Sequence, residues 1–189
     1  MERTDLLNTY ITDMAAVETH IVSAVDRQLE NDETSTYPDA VSVLSRLKAT
    51  MQGHVSALET YNETTNDGEV KEAVKEAIGT ALGVVAGVWN KVRGTDEVSR
   101  AIRDAYTATS LATISYHMLY TTALGLKSDE VADLALRHLR DLTPLISEMS
   151  EVVCTVVASE LANEGKVIDS TVAAEAIRAT QDAWAMEAV

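Results

Sequence analysis

Phenylalanine is absent from this chain of 189 residues, and aromatic residues of every kind make up only 4% of it. A core without large rings must be filled by Leu, Ile, Val, Met and Ala, which suits closely packed helices better than a β-sandwich. Cysteine occurs once, as Cys154, so no intrachain disulfide can form. Inside the apolar run Val152 to Val157 it reads as a small buried hydrophobe in a reducing compartment. The longest apolar stretches reach about a dozen residues, too short to span a bilayer. The first thirty residues hold no signal-peptide core, so a cytoplasmic location is expected. Positive charge is also scarce, with 15 Lys and Arg against 30 Asp and Glu and a net charge of −15. That balance argues against a nucleic-acid partner, which needs clustered cations, and against an anionic membrane surface. It suits an acidic soluble protein or a salt-rich habitat equally.

What is present is helical periodicity, almost from end to end. One domain spans 1–189. Its first helix covers about 4–30, with Leu7, Ile11, Met14, Glu18, Ile21 and Val25 on one stripe. The polar run Asn31 to Thr36 reads as a loop, with Thr36 as N-cap and Pro38 in the first turn of a helix over about 37–65. Leu44, Leu47, Met51, His54, Leu58 and Tyr61 form its seam. A shorter helix over 69–92 follows, then helices over 95–124, ending at Gly125, and 128–164, ending at Gly165. The last of these carries Val131, Ala135, His138, Leu142, Leu145, Met149, Val152 and Val156 on its seam, and Pro144 inside it predicts a kink. A final helix over 170–187 shows Val172, Ala176, Ile177 and Trp184 on one side. Two short hairpin connections and one long bridged one make an antiparallel four-helix bundle with a crossover helix and an added C-terminal helix.

Three seams therefore carry a metal-capable side chain, namely Glu18, His54 and His138. A two-iron site of such a bundle takes Glu-x-x-His from two helices, because i, i+3 spacing aims both groups at the core. Here Met51 and Ala135 stand three positions before the histidines. The third long helix has no Asp or Glu between Tyr106 and Leu124; it offers Thr113, Tyr116 and His117 at that level. Three or four ligands, with Tyr116 or His117 as the fourth, suit one zinc or iron ion but lack bridging carboxylates. The alternative needs no ion: Glu18 paired with either histidine, and the hydroxyls nearby, satisfies the buried polar groups. Glycines at 79, 83 and 87 make a smooth helix face for close packing on the bundle or for a homodimer. Phosphate-binding loops, nucleophile elbows and Cys-His clusters are missing.

The segments Gly53-His54-Val55-Ser56-Ala57-Leu58-Glu59, Ser115-Tyr116-His117-Met118-Leu119-Tyr120 and Leu134-Ala135-Leu136-Arg137-His138-Leu139 give the chain a likeness over about 4–164. With the crossover helix, it resembles the ferritin-like superfamily, most nearly its YciF-type branch of bacterial stress proteins. The resemblance implies an all-α ferritin-like fold and carries over Glu18, His54 and His138 as positions of a degenerate di-iron site. The function expected is a non-catalytic, stress-related binding or structural protein, with no cofactor and a homodimeric state through the glycine face or the C-terminal helix. The alternatives are a metalloprotein or oxidoreductase with one iron or zinc at the reduced site, and a peripheral membrane or lipid-binding bundle.

Overall fold

The computed structural model describes residues 3–65, 97–167, 169 and 171–185, and all its regular structure is helical. In chain order the helices are α1 (Arg3–Leu29), α2 (Asp32–Ser35), α3 (Pro38–Thr65), α4 (Val98–Leu126), α5 (Asp129–Asn163) and α6 (Val172–Ala185). The expected helix over 69–92, its glycines and the caps before 97 lie outside the described residues.

The four long helices share one apolar core. α1 packs chiefly on α3 and α4, and α5 on α4 and α3. The seams read from the sequence are the buried faces: Leu7, Ile11, Met14, Ile21 and Val25 of α1 face Leu44, Leu47, Met51 and Leu58 of α3 within it. From α5, Val131, Ala135, Leu142, Leu145, Met149, Val152 and Val156 complete it, and Tyr61 is half-buried at its edge. Each fully buried aliphatic side chain contributes about 1.5–3 kcal/mol of transfer free energy. Tyr116 is the one aromatic ring among the buried core residues.

Helix ends fix how the four are ordered. Gln28 at the end of α1 donates from Nε2 to the Ala101 carbonyl in the first turn of α4 (3.1 Å). Glu160 near the end of α5 accepts from the Ser99 backbone N–H of α4 (2.9 Å), satisfying one of the donors that a helix start leaves free. α1 and α5 therefore both end where α4 begins.

Local chemistry departs from the sequence reading at several points. The run expected as a loop forms α2, because Asn31 caps it by accepting from the Glu33 N–H (2.9 Å) and Asp32 and Glu33 sit in its first turn. Thr36 does not cap α3; its hydroxyl donates back to the Glu33 carbonyl (2.7 Å), and Pro38 opens α3 as expected. α4 runs through Gly125 to Leu126. Lys127 then takes the left-handed conformation (φ 57°), with Ser128 N–H on Ala123 O (2.9 Å) and Lys127 N–H on Leu124 O (3.1 Å), a Schellman closure. Gly165 (φ 76°) ends α5 in the predicted way, and α5 continues unbroken through Pro144. Cys154 is half-buried, its thiol directed at the Ser150 carbonyl. α6 packs against α5 but buries none of its residues, so Val172 and Trp184 stay 40% and 51% exposed. None of these helices is long and apolar enough to cross a membrane.

Candidate metal centre

Each long helix contributes one polar side chain to the middle of the core: Glu18 from α1, His54 from α3, Tyr116 from α4 and His138 from α5. Their exposures are 0%, 4%, 0% and 4%. Polar groups this deep must find partners or cost several kcal/mol, and most of them do. Glu18 Oε1 lies 3.0 Å from His54 Nδ1. His138 Nδ1 lies 2.7 Å from the Tyr116 hydroxyl. The two imidazoles stack face to face, with centroids 3.7 Å apart and planes 7° from parallel, and Tyr116 meets His138 edge-on at 5.0 Å.

Both rings turn Nδ1 inward, towards Glu18 and Tyr116, and both line a cleft of about 790 Å³ that opens between α3 and α5. On that outer side His54 Nε2 lies 3.3 Å from Asp141 Oδ2, whose side chain is 58% exposed. His54 thus faces a carboxylate at each nitrogen, an arrangement in which only the doubly protonated ring donates to both. On the inward side one atom is left over. Glu18 Oε2 is buried and has no hydrogen-bond partner among the described residues.

Protonation follows from burial. Desolvation raises the Glu18 pKa above the ordinary glutamate value, with His54 and then Tyr116 pulling the other way. Tyr116 is driven above its usual value by burial and then by the Glu18 charge, so the phenol stays protonated. His138 is pushed down to about 3 by burial, with the charges of His54 and Arg137 adding to the effect; it is a neutral ring at neutral pH.

The predicted trio therefore converges. One ligand atom from each of Glu18, His54 and His138 lies within 4.8 Å of the others, the one such His, Cys, Asp and Glu group among the described residues. A tetrahedral ion held at about 2.0–2.1 Å draws its ligand atoms to about 3.3 Å of one another, so side-chain movements of about 1 Å close the set. Of the two fourth ligands considered, Tyr116 stands beside the trio, whereas His117 is exposed on the outside of α4 and is not brought to it. Met51 and Ala135, three positions before the two histidines, are fully buried and apolar, so those turns bring no further carboxylate to the trio and the residues fit one ion. No protein-family model, no curated protein and no solved structure matches this chain.

Asp141 escaped the sequence reading. It follows His138 by three positions, the spacing that shares a helix face, but its partner is on α3, so only the packing of α3 on α5 reveals it. Gly53 belongs to a sequence motif, and in the fold it is open space. A Cβ built on it meets nothing within 4 Å, and its missing side chain helps open the cleft over His54.

Proposed function

We propose that this protein is a ferritin-like helical bundle that binds a single divalent ion, zinc or ferrous iron, through Glu18, His54 and His138, with the Tyr116 hydroxyl beside them. The observation that carries the reading is the convergence of three buried donor side chains, one of which, Glu18, has a carboxylate oxygen without a hydrogen-bond partner among the described residues. Two imidazoles and one carboxylate are a donor set common to zinc and ferrous iron. A bound ion would act there as a Lewis acid. The chain's own groups do the rest: Asp141 accepts from His54 Nε2 and fixes that ring, as a carboxylate behind a ligating histidine does. Tyr116 holds His138 Nδ1 in the metal-free protein and would yield that nitrogen to an ion, which the neutrality of His138 leaves able to ligate. The cleft supplies a route from solvent.

The ferritin-like reading is supported by the four long helices around one core and by ends of α3 and α4 that lie far apart, which one long connection serves. A stress-related role rests on the resemblance to YciF-type proteins, and a homodimer through α6 on the exposure of Trp184. One observation favours a second reading, a non-catalytic bundle whose Glu18, His54 and Asp141 compensate one another without any ion: the two carboxylates on His54. Elemental analysis of untagged protein separates the two. Stoichiometric zinc or iron that disappears in Glu18→Gln and in His54→Gln supports the metal reading. Metal below a tenth of the chain concentration after incubation with excess ion overturns it.

A further inference from the structure

The charge lining the cleft runs against the charge of the chain. In a protein with twice as many acids as bases, the charged side chains around this opening are Arg46, Arg137 and Asp141. Arg46 is engaged by Glu148 across the α3/α5 seam, and Asp141 by His54. Arg137 is exposed and has no carboxylate partner among the described residues. At the floor, His138 is buried to 96% with Nδ1 taken by Tyr116, and its outward nitrogen, Nε2, has no partner among the described residues. Where the Tyr116 hydroxyl donates to Nδ1, the neutral ring carries its proton on Nε2 and offers it to the cleft. An ion on the inner edge would leave that proton in the same place.

The walls beside these two donors are apolar, made by Ala49, Ala57, Pro144 and Leu145. At about 790 Å³ the opening has the volume of a small-molecule site, of which such sites span about 300–1,000 Å³, and the lining is of the usual kind, mostly apolar with a few convergent polar groups. A guanidinium forks onto a carboxylate through two parallel hydrogen bonds.

We propose that this cleft binds a small organic acid, its carboxylate held between Arg137 and His138 Nε2 and its apolar body laid against Ala57, Pro144 and Leu145. The inference uses the outward edges of the histidines and stands whether or not an ion occupies the inward ones. Gly53 provides the means to test it, since a larger side chain there has open space to enter and leaves the helix intact.

The experiment is a titration of the ¹⁵N-labelled full chain with hexanoate, in EDTA so that metal binding plays no part, with inorganic phosphate as a second arm. The proposal expects saturable shifts confined to residues 46–57 and 137–145. Affinity falls about tenfold or more in Arg137→Gln and in Gly53→Leu, the loss expected for one charge-assisted contact or a filled site, and phosphate binds more weakly than hexanoate. Arg137→Gln alters an exposed side chain, so it reads the site even where Gly53→Leu perturbs the fold. Absence of saturable hexanoate binding, shifts centred elsewhere, affinity unchanged in Arg137→Gln, or phosphate binding as tightly as hexanoate would overturn it.

Discussion

Removing His54 should unbalance the core in a way that can be calculated from one carboxylate. Glu18 is wholly buried; Oε1 has His54 Nδ1 at 3.0 Å and Oε2 has no partner among the described residues. His54→Ala deletes the hydrogen-bond partner of Glu18 Oε1 and leaves a wholly buried carboxyl group unpaired, a change that costs about 3–5 kcal/mol where one member of a buried pair is removed. For a chain of this size each kcal/mol moves the midpoint by about 2–4 °C, so Tm should drop by about 6–20 °C. Glu18→Gln removes the charge and keeps the shape. The double variant should therefore be less destabilised than the two single variants summed, by at least about 1.5 kcal/mol, the coupling that contacting charged residues show. The assay is urea unfolding followed by circular dichroism at neutral pH in EDTA, on the wild type and three variants. A His54→Ala cost below about 1 kcal/mol, or single costs that simply add, would refute the claim that His54 supports the buried Glu18 carboxyl.

The acid response of metal-free protein should carry the signature of His138. Its folded pKa is depressed to about 3, so its contribution is present above the unfolded value near 6.5 and is lost as pH falls towards 3, by up to about 1.4 kcal/mol per pH unit. The raised Glu18 pKa works in the opposite sense above pH 4.5, so the His138 slope is isolated as the stability difference between wild type and His138→Gln; a difference independent of pH from 6.5 to 3 would contradict it. Lys127→Gly should stabilise the protein by roughly 1 kcal/mol, because Lys127 holds a left-handed conformation that disfavours a side chain; a thermal melt with unchanged or lower Tm would count against it. Asn31→Ala should lower stability by about 1 kcal/mol through loss of the α2 cap, read in the same melts. Light scattering checks the dimer, and a monomer at micromolar concentration would remove it.

The seams were legible in the sequence because helical spacing of apolar residues depends on little except which side faces inward. Every seam residue of α1 named from spacing, from Leu7 to Val25, is buried, and so is every one of α5. The trio was legible for the same reason: a polar group on an apolar stripe announces itself. What failed was decided by local hydrogen bonding or by packing between helices. Asn31 turns a polar run into a helix, and Lys127, not Gly125, closes α4 because the Schellman bonds form two residues further on. Asp141 and Arg137 look like an ordinary exposed face until α3 is laid beside α5. The final helix has a good apolar stripe, yet nothing in its spacing says that the stripe stays at the surface.

The central claim is that Glu18, His54 and His138 hold one ion, and X-ray absorption of protein loaded with a single equivalent of zinc tests it most directly. The account predicts nitrogen and oxygen neighbours at about 2.0–2.1 Å, with outer-shell scattering from two imidazoles that falls to one in His138→Gln. A spectrum without imidazole scattering, or one unchanged in that variant, would contradict it.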